Sequence, residues 1–312
     1  MKNTAFLFPG QGSQFVGMGE DLYREFDYVR EIFDMAEDVT KIRLSRLCFK
    51  GPMDELTQTV NLQPALTAVN LACLAALQRV HADFSFCAGH SLGEYSALHA
   101  AGVLSAEDTL RLVFQRGQLM HREACRNPGA MQAIVGLTLA EIEALVAERQ
   151  GQGVVSVANH NTENQIVITG APEPVAGVGA LAAAKGAKAV PLKVSGAWHS
   201  ELIRGAEAEF KAALSKTIFQ TPQKQVVLNV TASSTMDPLE IREIMACQLC
   251  SPVRWYDSMC KMMAAGIETF VEVGPGKVLA GLLRKILPRD YPGRIHAVGS
   301  LAQLEQFLKA GA

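Results

Sequence analysis

The residue pattern best suited to covalent chemistry is a serine between two glycines, Gly89-His90-Ser91-Leu92-Gly93. The spacing G-x-S-x-G belongs to a sharp strand-to-helix turn that lifts a hydroxyl out of a sheet and sets it near the amides of the following helix. Such a serine attacks only if a base takes its proton. Of seven histidines, His90 adjoins the serine and is expected to point away from it. His81, His99, His121 and His296 lie in segments with no other catalytic feature, and His160 is expected in a loop. His199, in "VSGAWHS", follows a strand end in a loop of small residues and is the expected base. No acidic residue between Ser91 and His199 holds a clear loop-end position, unlike hydrolases in which Asp or Glu precedes a C-terminal His. A Ser–His dyad, its imidazole held by a backbone carbonyl or an amide, is therefore expected.

Two further elements bear on what such a serine would attack. Arg116 falls on a helix among Val113, Phe114, Leu119 and Met120. A buried guanidinium is costly unless paired, and its planar fork matches a carboxylate in two parallel hydrogen bonds. It would either select an acyl group that carries a carboxylate or form an internal salt bridge. The loop Pro9–Gln14 is glycine-rich, so its amides can approach a ligand closely, and Gln11 could offer one to an oxyanion. Neither phosphate-binding glycine pattern, G-x-x-x-x-G-K-[ST] or G-x-G-x-x-G, occurs there.

These residues need a scaffold. The 312-residue chain is 49% hydrophobic and 19% charged, which suits a globular protein with a substantial core. A formal charge of −2 gives no sign of nucleic-acid or anionic-membrane partners. The apolar run "TAFLF" is too short for a signal peptide, and no long uninterrupted apolar stretch stands out, so a cytoplasmic enzyme is expected. Seven scattered cysteines do not make a disulfide framework. Cys247-Gln-Leu-Cys250 lacks a second pair, so two half-buried thiols and no metal are expected.

The order of elements is α/β. Thr4–Phe8 reads as a buried strand, Glu20–Glu37 and Asn61–Val80 as helices, and "FSFCAGHS" as a strand running into Ser91 ahead of a helix. From about Gly129 to Val194 the pattern becomes β-α-β-β-α-β, the ferredoxin-like order, which can close its own small core. The chain then re-enters the larger unit, with a strand through Val226–Val230, two helices, a last buried strand in "ETFVEVGPG" and a helix in "KVLAGLLRKIL". Domains of 1–128 plus 195–312 and of 129–194 are expected. The alternation implies a mostly parallel sheet covered on both faces.

With these elements in order, the sequence resembles the malonyl-CoA:acyl-carrier-protein transacylase (acyltransferase) family. The motifs "FPGQGSQ", "GHSLGEYSAL", "QRGQLM", "GAMQAIVGL", "VSGAWHS", "NVTA", "QLCSPVRW" and "EVGPGKVL" span nearly the whole chain. The resemblance implies an α/β-hydrolase-like large domain with an inserted ferredoxin-like subdomain. It also implies that Ser91 takes malonyl from malonyl-CoA and passes it to the phosphopantetheine thiol of an acyl carrier protein, for fatty-acid or polyketide synthesis or malonate decarboxylation. It gives His199 as base, Arg116 as carboxylate clamp, and the Gln11 and Leu92 amides as oxyanion hole. Gln248 falls where a main-chain carbonyl steadies the histidine, and Asn229 at the pocket's edge. Trp198 departs from the smaller residues usual before that histidine, and its ring should disfavour branched acyl groups. No cofactor or metal is implied, and a monomer is expected. Lys277, Arg284, Lys285, Arg289 and Arg294 would form either a carrier-facing basic patch or a solvated helix face. The rival readings are an esterase or thioesterase and a non-catalytic docking subunit.

Overall fold

The computed structural model describes residues 3–311. Nine strands form two sheets: β1 Thr4–Phe8, β2 Phe86–Gly89, β3 Ala130–Val135, β4 Val155–Thr162, β5 Gln165–Gly170, β6 Lys188–Pro191, β7 Gln225–Val226, β8 Thr269–Val273 and β9 Arg294–Val298. The larger sheet has the order β7-β2-β1-β8-β9, and every neighbouring pair is parallel. All five residues of central β1 are buried, as a parallel strand covered by helices on both faces requires.

The smaller sheet, ordered β4-β5-β3-β6, is antiparallel throughout. Its helices Leu139–Ala147 and Pro172–Ala184 cover one face and close a separate core of Ile134, Ile142, Leu145, Ile166, Ile168 and Val178. It is sewn to the large body where β4 bulges: His160 N–H donates to Val253 O (2.9 Å) and Val253 N–H to Ala158 O (2.8 Å). His160 thus lies in a strand and not in the expected loop.

Helix Thr59–Arg79 runs through the core with Gln63, Asn70 and most of its apolar residues buried. Among the described residues it alone is long and apolar enough to cross a membrane, and 83% of that window is buried inside the fold. Its interspersed polar residues are why no unbroken apolar run stands out in the sequence.

The structure departs from the sequence expectations in three other places. The helical pattern from Glu20 to Glu37 is two helices, Glu20–Glu25 and Asp27–Thr40, because Phe26 is extended (φ −121°) and stacks on Tyr28 at 5.0 Å. Arg30 satisfies the carbonyls freed at that break, donating to Tyr23 O and Arg24 O. The strand expected through Val226–Val230 stops at Val226, where the chain turns so that Asn229 can reach the nucleophile turn. β8 is not the last strand: β9 pairs beside it and Leu301–Lys309 follows as a helix. β9 is mostly half-exposed, so its apolar signal is diluted as on any sheet edge.

Candidate active site

β2 ends at Gly89 and the helix Gly93–Ala100 begins four residues later, so the chain must reverse within Gly89–Gly93. Both glycines are steric necessities. A Cβ at Gly89 would sit 1.9 Å from the Gly93 carbonyl carbon, and one at Gly93 would sit 2.0 Å from the Phe8 carbonyl oxygen. Between them Ser91 is forced into the left-handed region (φ +52°), a strained position that aims its hydroxyl away from the sheet. Asn229 pins this turn from behind, accepting from Ser91 N–H (2.7 Å) and donating to Gly89 O (2.7 Å). The sequence put Asn229 at the pocket's edge, but it is buried beneath the turn.

β1 runs parallel to β2 with Phe8 opposite Gly89, so the loop after β1 emerges beside Ser91 at the carboxyl edge of the sheet. There a cavity of about 100 Å³ is lined by Gln11, Ser91, Leu92, Arg116, Trp198 and His199, with Met120, Met131, Leu192 and Val194 as apolar walls. A wider cleft of about 670 Å³ shares Gln11, Leu192 and Val194 with it and leads outward past Lys193 and Ser195. A separate surface groove near Glu31, Asp34 and Glu107 contains neither a nucleophile nor a histidine.

His199 also has positive φ (+61°), and its Nε2 lies 2.8 Å from Ser91 Oγ. Its Nδ1 faces two carbonyl oxygens, Gln248 O at 3.1 Å and Ser251 O at 3.0 Å. Carbonyls only accept, so Nδ1 carries the proton and Nε2 is free to accept from the serine. Burial, then the Arg116 charge, lowers the imidazole pKa to about 3. The ring is therefore a neutral base. No carboxylate touches it among the described residues, so the two residues form a dyad steadied by main chain. The sequence pointed to Gln248 but held no sign of Ser251, because a carbonyl acceptor carries no side-chain signature.

Arg116 is only 1% exposed. Its Nε donates to Gln248 Oε1 (3.2 Å), Nη1 to Gln63 Oε1 (3.0 Å) and Nη2 to Ser91 Oγ (3.2 Å), with the Tyr95 ring 5.7 Å away. All of these partners are neutral. It makes no ion pair among the described residues, so the internal salt bridge is not formed. These three hydrogen bonds engage three of its five N–H donors, and the Tyr95 hydroxyl adds a further neutral partner. Gln63 and Tyr95 were not foreseen, because only the fold brings their helices against Arg116.

Glu94, fully buried one residue into the helix after the nucleophile, accepts from Asn229 N–H (2.7 Å) and Gln248 Nε2 (2.6 Å). Burial pushes its carboxyl up to about 7, against those two donors and the Arg116 charge. Since both oxygens face donors, the ionised form fits the site.

Leu92 and Gln11 line the cavity, and neither backbone N–H meets an acceptor among the described residues. Trp198 is a buried wall of the same cavity. His90 borders the same cavity, but its Nε2 pairs with Asn161 Oδ1 (2.8 Å) and its ring packs on Trp255. Lys277, Arg284, Lys285, Arg289 and Arg294 are all exposed, and Lys285 donates to Gln165. Cys247 is exposed while Cys250 is half-buried, so the pair is less buried than expected. No group of three or more His, Cys, Asp or Glu side chains suited to a metal ion occurs among the described residues.

A nucleophile turn, a neutral histidine and a buried arginine with no acid partner describe a chemistry; comparison with known proteins gives its lineage. A family model described as "Acyl transferase domain" matches residues 5–303. The chain belongs to the acyl transferase domain family. It is 42% identical over 288 residues to the malonyl CoA-acyl carrier protein transacylase of Bacillus subtilis, covering 92% of this chain and 91% of that one. It is 41% identical over 289 residues to the protein of the same name from Escherichia coli K12, covering 92% and 94%. Among solved structures, FabD of Acinetobacter baumannii superposes with a TM-score of 0.94 at 38% identity, covering 99% of this chain and 98% of that one. A type II polyketide-synthase acyl-carrier protein in complex with its malonyl-transacylase matches with the same TM-score, 0.94, at 38% identity, covering 98% and 99%. The family and the mixed α/β fold with a parallel sheet are those the motifs implied.

Proposed function

We propose that the protein transfers a malonyl group from malonyl-CoA to the phosphopantetheine thiol of an acyl carrier protein through an ester on Ser91. The observation that carries this reading is Arg116: a desolvated cation without a counter-carboxylate, 3.2 Å from the nucleophile it shares a cavity with. A substrate bearing a carboxylate at the far end of a short acyl chain supplies the missing charge.

His199 Nε2 takes the Ser91 proton as Oγ attacks the thioester carbonyl. The Gln11 and Leu92 N–H groups donate to the oxyanion that forms, each such donor contributing on the order of 10²–10³-fold in rate. The C–S bond then breaks and the imidazolium returns its proton to the departing coenzyme A thiolate. The carrier thiol repeats the steps in reverse. Thioester and ester are close in energy, so the exchange needs no metal or bound cofactor. The hydrogen bonds to Gln248 O and Ser251 O hold the ring in the tautomer these steps require. The carrier-protein partner is supported by the structural neighbour that is itself a carrier-protein complex. Exposed Lys277, Arg284 and Arg289 offer cations to an acidic carrier.

In this reading the described residues of the expected domain 1–128 plus 195–312 form an α/β-hydrolase-like body, and 129–194 a ferredoxin-like insertion whose strand order β4-β5-β3-β6 suits that fold. Trp198 narrows the acyl cavity against branched chains. All seven cysteines are free thiols, which suits a reducing cytoplasm. Labelled malonyl-CoA supplied with a carrier protein should label Ser91 and then the carrier thiol. Release of free malonate with no labelled carrier would instead make the protein a thioesterase.

A further inference from the structure

We propose that Glu94 is a positioning residue for substrate selection: its carboxylate orients the Gln248 side-chain amide, and that amide aims Arg116 at the acyl group. The inference rests on the reading of Arg116 as the site of a substrate carboxylate. Glu94 does not line the cavity and takes no part in the proton path. Its two oxygens are nevertheless fully committed, one to Asn229 N–H at 2.7 Å and one to Gln248 Nε2 at 2.6 Å. An ionised carboxylate accepts only, so it draws the NH₂ end of Gln248 inward. The same nitrogen donates to Ser91 O (2.9 Å), which fixes the amide from a second direction.

The oxygen end of Gln248 must then face the opposite way. There it accepts from Arg116 Nε (3.2 Å) and Tyr95 OH (3.3 Å). A flipped amide would set its NH₂ against the Arg116 donor and its oxygen against the oxygens of Glu94 and Ser91. Glu94 thus sets the polarity of the relay. It also supplies negative charge near Arg116 without touching it, so the cation is partly balanced while its terminal nitrogens have no carboxylate partner among the described residues.

Glu94→Gln keeps the shape and replaces one acceptor oxygen by a donor. The amide so introduced must oppose either Asn229 N–H or the Gln248 NH₂, and relief comes by flipping Gln248 against Arg116. Loading of Ser91 from malonyl-CoA and from acetyl-CoA is followed by intact mass and stopped flow. The malonyl-to-acetyl ratio of kcat/KM should fall on the order of 10- to 100-fold, the scale of a hydrogen bond to a charged group, with the change mainly in the malonyl KM. A merely structural glutamate would lower both substrates equally and leave the ratio unchanged, which would overturn the proposal. Gln248→Met removes the amide but keeps the main-chain carbonyl that holds His199, so it should lower the ratio similarly and decides the matter if Glu94→Gln does not fold. Adding Glu94→Gln to Gln248→Met should change the ratio no further; independent, multiplying effects would refute action through Gln248. Arg116→Ala separates the relay from the reading beneath it. If it keeps malonyl preference, the underlying reading fails; if it loses preference while Glu94→Gln retains it, only the relay fails.

Discussion

Arg116 and Arg122 lie less than two turns apart on the helix Ala106–Arg126, yet they meet opposite surroundings. Arg122 is 30% exposed and bonds to the carboxylates of Glu123 (2.8 Å) and Glu209 (2.6 Å). Those partners raise its pKa, the Glu209 hydrogen bond first. Arg116 is buried against two glutamines, a tyrosine ring and a serine hydroxyl, and desolvation lowers its pKa. Arg122 ties together elements that are already folded; its pair with exposed Glu209 contributes at most about 1 kcal/mol, while its pair with buried Glu123 supplies the counter-charge that carboxylate needs. The Arg116 environment holds a cation in place with neutral acceptors, and the charge of Glu94 balances it only in part and without contact. A buried charge without a counter-charge is unfavourable for the empty protein and becomes favourable when a ligand provides the opposite sign.

The contrast between the two arginines breaks most completely if Ser91 is not the nucleophile. Ser91→Ala should lower transfer on the order of 10⁴-fold or more and abolish the malonyl adduct in intact mass, while leaving Arg116 buried. Next in size, Arg116→Ala should reduce malonyl loading on the order of 10²–10³-fold and spare acetyl loading, whereas Arg122→Ala should alter neither in the same assay. Similar losses for both arginines would erase the distinction. A smaller effect concerns the empty protein. Arg116→Met should raise stability by about 1–3 kcal/mol in denaturant melts, because it replaces a desolvated cation that no carboxylate touches, while Arg122→Met should lower it, because it leaves buried Glu123 with Arg126 as its one remaining cation among the described residues.

The smallest effect sharpens the electrostatic side. The folded imidazole of His199 has its pKa depressed to about 3, below the ordinary 6.5. The unfolded chain therefore binds the extra proton first as pH falls. This contribution to stability is fully present above pH 6.5 and declines as acid is added towards pH 3. Glu94 acts in the opposite sense: its carboxyl is raised from 4.5 to about 7, so its contribution is greatest below 4.5 and declines as pH rises through 7. Comparing melting temperatures of the wild type and His199→Gln at about pH 7 and about pH 5 cancels the Glu94 part. The variant should lose less on acidification; an equal loss would mean that the imidazole titrates normally in the fold.

Much of this architecture was legible in one dimension. β1 came out at its observed limits because a short apolar run followed by Pro9-Gly10 has few other solutions. The alternating elements between Ala130 and Pro191 were readable because β-branched runs such as Val154–Val157 and Gln165–Thr169 alternate there with Ala- and Leu-rich stretches. The break at Phe26 was not, since a helical apolar pattern continues across it and the cost of the kink is met by Arg30 reaching back to two carbonyls. The turn at Asn229 escaped for a similar reason. "VVLNV" has strand composition throughout, and the tertiary bonds of Asn229 to Gly89 and Ser91 override it. β9, half-exposed at the sheet edge, has too little apolar contrast to announce itself.

Residue order alone placed the nucleophile turn, because Gly89 and Gly93 flank Ser91 at the spacing such a sharp reversal requires. It also singled out one arginine that sits among apolar residues without an acid nearby in the chain. What that arginine does depends on partners that folding brings to it. Gln63, Tyr95 and Gln248 come from three separate helical segments, and Glu94 reaches the guanidinium only through one of them. A charge's role depends on which dipoles surround it and which opposite charges stay away, and that is a property of space, which the order of residues along a chain does not record.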